Sequence, residues 1–553
     1  MVDHKENQPK QINIWLPLLL ALVMVGGMLI GNGMQKAPVI RISSNDNLQI
    51  GTVNESGRVE ELIRYIDSRY VDDVDREALI EKAITNVLGD LDPHSNYISA
   101  KELKAVNEQL DGNFEGVGIE FLIVEDTIVV VAPIVGGPSE KAGIIAGDKI
   151  VEIGDSLVAG QAFANSDVVK QLKGEKGTKV KVGVLRGRTN ELLSFDITRD
   201  QIPLNSLEVA YMLDDKTGYI KLNRFSSTTY KEFMASLEDL VDSGNMVDLI
   251  LDLRQNPGGY LREATSMLSQ MVEDTDKLIV YTEGRTTKRS DYKTTGKTFF
   301  KIGKIAILID EGSASASEIV AGAIQDWDRG IIVGRRSFGK GLVQEQYDLK
   351  DGSALRLTVA RYFTPSGRCI QKSYDDLSAY DGDVVKRFNS GELFHEDSLV
   401  RTDSDTTAFY TEDGRVVYGG GGISPDFFVS IDTTTYDNYY LELRALSSQF
   451  VYRYASDHPS DFKYENLNTF KNKYSVDDQV LEAFKKYASE NGVAYDAKAF
   501  ATAKSRISQL LKARFARQLF REKGFYSVWN EIDPVVVKAM ELLKEENPLS
   551  VQK

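Results

Sequence analysis

The 553-residue chain is too long for one hydrophobic core, so its length predicts several domains. Its 66 basic and 82 acidic residues give a formal net charge of −16, which argues against nucleic-acid binding because phosphate contacts need a basic face. The single cysteine, Cys369, excludes an internal disulfide framework, and we interpret it as a packing residue.

The N-terminus contains a strongly apolar segment. Residues 11–35 carry no charge, and residues 14–30 are nearly all apolar. As a helix this run would rise about 26 Å, slightly less than the roughly 30 Å hydrocarbon core of a bilayer. Lys5 and Lys10 precede it, which predicts a cytoplasmic N-terminus and export of the remainder. We expect a transmembrane anchor within residues 1–35 and a periplasmic or otherwise extracytoplasmic body; a cleaved signal peptide is the alternative.

Two amphipathic helices are predicted after this segment. Residues 36–54 are polar and indicate a linker, and residues 55–111 follow as an N-terminal helical region. Apolar residues recur at helical spacing near 59–70 and again near 79–88. The sequence Leu91-Asp-Pro-His-Ser95 ends this pattern, because a proline does not continue a helix.

Residues 112–200 form a β-rich region. Two segments in it, Gly116-Val-Gly-Ile119 and Pro138-Ser-Glu-Lys-Ala-Gly143 with Gly147-Asp-Lys-Ile150, resemble the carboxylate-binding loop and the following turn of PDZ domains. Glycines let successive backbone N–H groups converge on an anion, and a bound peptide adds to the sheet as an extra strand. The resemblance implies that the backbone of Val117, Gly118 and Ile119 binds a substrate carboxylate. A generic β-domain with glycine turns is the alternative.

Strands and helices alternate in residues 201–430, which predicts an α/β layered domain. Residues 373–415 are acidic and serine-rich, and we interpret them as an irregular surface insertion. Gly419–Gly422 is interpreted as a tight turn. Residues 431–553 are predicted to be helical, and their apolar stripes indicate either a helical core or a subunit interface; the second reading predicts a homo-oligomer.

The four histidines offer poor candidates for a Ser-His-Asp triad. Only His94 lies near a defined turn, and we interpret it as a hydrogen-bonding residue at a helix end. No pair of histidines has the spacing of metal ligands, and no other motif indicates a cofactor. A serine nucleophile in this chain therefore needs another base.

A predicted strand at 304–309 leads through Gly-Ser-Ala-Ser315 into a predicted helix. A serine at such a junction lies beside the positive helix N-terminus, with free N–H groups nearby. The amide of Ala316 is one candidate oxyanion donor, and the turn that ends a neighbouring strand offers a second at Gly258 or Gly259. In the alternative reading, Ser313, Ser315 and Ser317 only cap the helix.

Lys340 is flanked by Gly339 and Gly341 and is the candidate base. A free lysine titrates near pH 10.4, so the amine is neutral at pH 7 only if burial lowers its pKa by several units. A solvated loop lysine is the alternative. Gln344 lies four positions on, where its amide would orient the amine without adding charge.

Together these segments are similar to the C-terminal processing peptidases, also called tail-specific proteases. The resemblance covers roughly residues 55–430. It implies a crotonase-like α/β core with an inserted PDZ domain and flanking helical segments. It also implies that Ser315 is the nucleophile, Lys340 the general base and Gln344 its orienting residue, with protein substrates that have exposed C-terminal tails. The matching stretches are 252–259, 311–319, 334–344, 358–367 and 422–426.

Two other classes of protein share parts of this pattern. One is a non-catalytic, membrane-anchored PDZ scaffold, and the other is a crotonase-like acyl-transfer enzyme that acts on small thioesters. Peptide binding without hydrolysis would indicate the first, and a response to a coenzyme A thioester the second.

Overall fold

The computed structural model describes residues 57–187, 191–398, 407–431 and 437–552. The predicted membrane anchor and the linker at 36–54 lie outside these ranges. Among the described residues, no helix combines the length and the apolar character that a membrane span requires. The chain divides into two compact units, residues 1–79 and 80–553.

In the first unit the structure describes one complete helix, α1 (Arg58–Arg69). Its first turn carries Glu60 and Glu61 and its last turn carries Arg69, which is the charge arrangement that the helix dipole favours. The next helix, α2 (Arg76–Gly89), begins in the first unit and continues into the second. A short strand, β1 (Asn96–Ile98), and helix α3 (Ala100–Asp111) follow in the second unit.

Residues 113–203 form an antiparallel sheet and two short helices. The main sheet has the strand order β3-β4-β5-β7-β8, so β3 lies at one edge, and β6 pairs with β5. The strand β2 pairs separately with β9. The elements are β2 (Asn113–Gly116), β3 (Ile119–Val124), β4 (Thr127–Pro133), α4 (Pro138–Ala142), β5 (Lys149–Ile153), β6 (Ser156–Leu157), α5 (Asn165–Leu172), β7 (Lys179–Leu185), β8 (Leu192–Thr198) and β9 (Asp200–Pro203).

The next part of the chain builds a largely parallel sheet with the order β10-β11-β12-β15-β16-β21, in which the last strand, β21 (Phe427–Phe428), comes from later in the chain. Only β10 runs antiparallel to its neighbour. The strands β12 and β15 are almost wholly buried, as strands covered on both faces should be. The elements are β10 (Leu207–Met212), β11 (Thr217–Leu222), α6 (Thr229–Glu238), β12 (Asp248–Asp252), α7 (Leu261–Met271), β13 (Thr275–Glu283), β14 (Ser290–Thr295), β15 (Ile305–Ile309), α8 (Ala316–Asp326) and β16 (Ile331–Gly334).

A second, antiparallel sheet has the order β1-β18-β13-β14, with β17 also paired to β18. Its remaining strands are β17 (Leu342–Asp348) and β18 (Ala354–Phe363). Residues 373–415, which composition predicts to be irregular and superficial, contain two short helices, and Arg387 there is buried. Its side chain bonds Glu392 and the carbonyls of Arg336 and Ser337, which holds the segment against the core. The elements are α9 (Leu377–Asp381), α10 (Asp383–Asn389), β19 (Ala408–Tyr410), β20 (Val416–Tyr418) and β21 (Phe427–Phe428).

The C-terminal residues are helical, as the apolar spacing predicts. They form an aromatic-rich core of their own, to which Phe450, Phe484 and Phe515 contribute. The last helix packs instead on the parallel sheet, where Val535 and Val536 join its core. The helices are α11 (Asn438–Asp457), α12 (Leu467–Lys473), α13 (Asp478–Glu490), α14 (Ala497–Trp529) and α15 (Pro534–Lys544).

The topology places three candidate segments at one edge of the parallel sheet. The turn at 256–259 follows β12, the serine segment follows β15, and the lysine loop follows β16. Because carboxyl ends of parallel strands meet at the same edge, residues far apart in sequence converge there.

Candidate active site

Ser315 stands at the sharp turn between β15 and α8. Its backbone has φ 55° and ψ −113°, a conformation that L-residues rarely adopt and that persists only when the surroundings enforce it. The flanking serines enforce it in part. The Ser313 hydroxyl donates to the carbonyl of Leu253, and the Ser317 hydroxyl donates to the carbonyl of Asn256. Both flanking serines are buried, whereas Ser315 is half-buried. Ser315 is itself the N-cap residue of α8, and the hydroxyls of Ser313 and Ser317 bond the Leu253–Asn256 segment instead of the end of the helix.

The glycines at 258 and 259 lie directly beside this turn. A Cβ atom added to Gly258 would come within 2.8 Å of both the Ala316 nitrogen and the Ser315 Cβ, so no larger residue fits. The Gly258 N–H, however, donates to the Asn256 side chain at 2.9 Å. That hydrogen is therefore already engaged in this structure, and the role of Gly258 as an oxyanion donor stays a prediction. Among the described residues, the amides of Gly259 and Ala316 have no hydrogen-bond partner and remain candidates.

Lys340 lies half-buried on the loop between β16 and β17. Gly339 has φ 89°, and a Cβ there would approach the Gly421–Gly422 backbone to 3.0 Å, which explains the glycine before the lysine. Burial, and after it the nearby Arg356 guanidinium, lower the pKa of Lys340 to about 8, although Glu318 and Asp92 oppose the shift. A lysine that acts as a base requires a lowered pKa of this kind, because only the neutral amine accepts a proton. Lys340 and Ser315 are not hydrogen-bonded to each other through their side chains within the described ranges.

Glu318 joins the two segments. This buried carboxylate accepts the N–H of Ser315 at 2.8 Å and the N–H of Lys340 at 2.9 Å on the same oxygen, Oε2. The two nitrogens are therefore at most about 6 Å apart. The other oxygen, Oε1, accepts the Gly339 N–H and the Ser337 hydroxyl. Burial raises the pKa of Glu318 to about 7, and these four donors oppose that shift.

Tyr362 forms a second link between the same segments. Its buried hydroxyl contacts the carbonyl oxygen of Lys340 and lies 3.1 Å from that of Ser315. The sequence offered no sign of this link, because Tyr362 comes from β18, beyond both segments. Glu318, in contrast, lies three positions after Ser315, which is the spacing of a capping box and could have been recognised.

Gln344 does not bond the lysine amine directly within the described chain. Its amide donates to the Thr358 hydroxyl at 3.3 Å, and that hydroxyl donates to Asp92 at 3.1 Å. Asp92 also accepts the Ser95 hydroxyl at 2.6 Å and the backbone N–H groups of His94 and Ser95. The Leu91–Ser95 turn, predicted only to end a helix, therefore fixes the Asp92 carboxylate. Asp92 bonds the Thr358 hydroxyl, and Thr358 in turn bonds Gln344.

His94 lies beside the same site. Its Nε2 atom is 2.7 Å from the Tyr380 hydroxyl. Burial, followed by the charges of Lys340 and Lys372, lowers the pKa of His94 to about 4, although Asp92 opposes the shift. A ring that stays neutral in this way is a hydrogen-bonding group. In the part of the chain that the structure describes, no group of three or more His, Cys, Asp or Glu side chains is arranged to hold a metal ion.

The three residues predicted to bind a carboxylate lie at one end of a groove. Gly118 has φ 72°, and the carbonyl of Val117 is fixed by the backbone and hydroxyl of Ser139. The groove encloses about 390 Å³. Val117, Gly118, Ile119 and Phe121 line one wall, Val169, Leu172 and Lys173 line another, and α3 and Arg224 contribute further lining.

Comparison with known proteins identifies the domains. The model of peptidase family S41 matches residues 216–376, and that of the PDZ domain matches residues 116–197. A carboxy-terminal-processing protease of Bartonella bacilliformis is 37% identical over 339 residues, which cover 60% of this chain and 76% of the relative. This chain belongs to the carboxy-terminal processing protease family.

A second curated relative agrees with this assignment. The carboxy-terminal processing protease CtpB of Bacillus subtilis is 32% identical, with 64% of this chain and 75% of the relative covered. The solved photosystem II D1 C-terminal processing protease is 30% identical, covering 56% of this chain and 83% of that chain, with a TM-score of 0.32. The matches to the two domain families and the identity to the Bartonella and Bacillus relatives make this protein a serine-type peptidase, a hydrolase that combines an S41 core with a PDZ domain in a mixed α/β architecture. A family of unknown function, DUF8443, matches residues 439–521.

Replacing Glu318 with glutamine should impair this peptidase without unfolding it. Glutamine keeps the shape but presents one acceptor oxygen to four donors, so its NH₂ group faces N–H groups that need an acceptor. A displacement of about 1 Å in catalytic geometry can cost roughly 10²-fold, and we expect kcat to fall on that order with little change in KM. Steady-state cleavage of a peptide substrate measures both. Glu311→Gln, which affects a carboxylate paired with Arg335, is the matched control, and equal kcat values for both variants would contradict this role.

Replacing Thr358 with valine should lower kcat about tenfold, because one hydrogen bond that orients Gln344 is lost. Thr358→Ser keeps the hydroxyl and should restore most of the activity. The two variants are compared by kcat and KM at one pH, with thermal unfolding followed to check folding. Full activity in the Val variant, or a loss in the Ser variant as large as that in the Val variant, would contradict this role of the hydroxyl.

Proposed function

We propose that this protein is a membrane-anchored, extracytoplasmic serine endopeptidase that recognises and cleaves near the C-terminal tails of other proteins, using a Ser315–Lys340 pair. The observation that carries the proposal is the single Glu318 oxygen that accepts the backbone N–H groups of both residues. A serine in a strained turn and a lysine with a lowered pKa are thus fixed beside one another. The resemblance of the peptidase region to a crotonase-like fold is part of the same proposal.

In the proposed mechanism, the Ser315 Oγ attacks a peptide carbonyl while the neutral Lys340 amine takes its proton. The resulting ammonium donates a proton to the leaving amine, and an acyl-enzyme remains on Ser315. Water then attacks the ester, with Lys340 again as base. The amides of Ala316 and Gly259 hold the developing oxyanion, for which one donor is typically worth about 3–4 kcal/mol of barrier. Gln344, held by Thr358, limits the positions that the amine can occupy.

Substrate capture is assigned to the PDZ groove. The backbone N–H groups of Val117, Gly118 and Ile119 would bind the terminal carboxylate of an unfolded tail. The apolar lining, with Phe121, Val169 and Leu172, favours apolar residues at that tail. The uncharged segment at 11–35 would hold the enzyme at the membrane, and the exposed surface of the C-terminal helices would serve a homo-oligomer.

Ser315→Ala and Lys340→Ala should each abolish digestion of a disordered protein such as casein, a loss of at least about 10³-fold, because the residues act as one unit. Both variants should still bind a peptide with a free apolar C-terminus and ignore its C-terminal amide. The full-length protein in detergent is used, with gel electrophoresis for digestion and fluorescence anisotropy for binding. Turnover retained by Lys340→Ala would contradict the assigned base, and a wild-type protein that binds tails without cleaving casein would be a scaffold.

The activity should rise with pH through the pKa of Lys340. The amine acts as base only when neutral, and its lowered pKa of about 8 places the half-maximal value of kcat/KM near pH 8. Protonation of Glu318 near pH 7 steepens the loss on the acid side, since the carboxylate then accepts fewer hydrogen bonds. The measurement is kcat/KM at constant ionic strength from pH 6 to 10. A profile that falls as pH rises from 7 to 9 would be incompatible with a lysine base.

A further inference from the structure

The peptide-receiving edge of β3 is only partly open. Because β3 is the first strand of its sheet, one of its edges has no strand partner in the described sheet. Val124 and Thr127 close a two-residue turn formed by Glu125 and Asp126, both with positive φ. The closing pair of such a hairpin is hydrogen-bonded, and bonded pairs alternate along the ladder. The N–H and C=O groups of Phe121 and Ile123 therefore point away from β4, towards the free edge.

A side chain of the C-terminal helices occupies that edge at Ile123. Gln449, on α11, donates from Nε2 to the carbonyl oxygen of Ile123 at 3.0 Å. The other end of the same amide accepts the Tyr487 hydroxyl at 3.2 Å, from α13. Tyr487 belongs to the aromatic core of the C-terminal helices, so the amide is fixed from both sides. Both residues lie in the segment that matches the family of unknown function.

The same helices contact β3 and its turn at two further positions. Arg517 bonds Glu120 at 3.1 Å, and Arg453 bonds Glu125 at 2.9 Å. Side chains of β3 alternate between its faces, so Glu120 and Leu122 face the C-terminal helices while Ile119 and Phe121 face the groove. The helices thus leave the groove side of β3 open near the carboxylate loop and close the edge at its far end.

A bound tail would meet this obstruction at a definite position. With its carboxylate at residues 117–119, the tail runs antiparallel to β3 and pairs at every second residue, first at Phe121 and then at Ile123. Pairing at Phe121 involves about the third residue from the end of the tail, and pairing at Ile123 about the fifth. To pair there, the fifth residue of the tail would donate its N–H to the Ile123 carbonyl, but Gln449 already donates to that carbonyl.

We propose that the C-terminal helices limit the PDZ groove to about the last four residues of a substrate tail, with Gln449 as the residue that sets this limit. Residues further upstream leave the sheet at that point and are free to extend towards the peptidase core. This inference rests on the proposed role of the groove as the receptor for C-terminal tails. It gives the segment of unknown function a part in determining specificity.

Peptide length tests the proposal. Peptides that share their last four residues and carry zero, two, four or six further serine and threonine residues are titrated against full-length Ser315→Ala protein. We expect equal affinities, within about twofold, for all four lengths. In Ser315→Ala/Gln449→Ala protein, the longer peptides should bind roughly tenfold more tightly than the tetrapeptide, because two backbone hydrogen bonds become available. Tyr487→Phe, which keeps the ring but frees the amide, should give a smaller gain.

Arg453→Ala is the matched control. Arg453 lies one helical turn after Gln449 and bonds Glu125 in the turn after β3, so its loss weakens the contact between α11 and the PDZ domain without freeing the Ile123 carbonyl. It should keep the equal affinities. Affinity that grows with peptide length in the Ser315→Ala protein, which keeps Gln449, would overturn the proposal. Affinity that does not depend on peptide length in both the Gln449→Ala and the Tyr487→Phe proteins would also overturn it. Failure of every peptide to bind would instead refute the groove as a tail receptor, and the length limit with it, while casein digestion by the wild-type protein would still support the catalytic part of the proposed function.

Discussion

The site depends on one buried carboxylate that is shared between two segments of chain. Glu318 has no cationic side chain bonded to it in the described structure, and its four donors are three backbone N–H groups and one hydroxyl. A buried carboxylate is costly unless its oxygens are satisfied, and here each oxygen accepts two bonds. The same bonds fix Ser315 in a strained conformation and place Lys340 next to it. The energy of burying Glu318 is thus offset by contacts that organise the site.

The neutral donors leave the charge of Glu318 uncancelled, so this carboxylate also acts on Lys340. An arginine beside Glu318 would satisfy the carboxylate too, but its positive charge would partly cancel the field of Glu318 at the lysine. With backbone donors, the negative field of Glu318 persists and favours the charged amine. Burial and Arg356 outweigh it, and the pKa of Lys340 stays below its ordinary value. The outcome is a base poised near neutrality, which general-base catalysis requires.

The local features of this site were readable from the sequence, and the long-range ones were not. The strand, the small-residue turn and the helix around Ser315 follow from residue types within a short window, as does the helical character of the C-terminal residues. The family resemblance assigned roles to Ser315, Lys340 and Gln344. The structure places Ser315 and Lys340 after neighbouring strands of the parallel sheet and Gln344 on β17 of the antiparallel sheet, and these positions do not decide the roles. The choice between Gly258 and Gly259 depended on the Asn256 side chain, which competes for one amide hydrogen. The Asp92–Thr358 bond joins residues 266 positions apart, and the bonds of Tyr362 to Ser315 and Lys340 span 47 and 22 positions. Periodicity carries no signal for such links.

The contact between the C-terminal helices and β3 has a physical rationale beyond specificity. A strand at the edge of a sheet exposes unpaired backbone groups and invites pairing with other chains. A peptide receptor cannot cover that edge completely, because its ligand needs the same groups. Exposed ion pairs such as Arg453–Glu125 add little energy, so they cannot by themselves close the edge. The Gln449 amide closes the edge at a single backbone carbonyl, that of Ile123. The backbone N–H and C=O groups of Phe121, nearer the carboxylate loop, stay available to a peptide. Covering the far end while leaving the near end free reconciles protection of the edge with capture of a short tail.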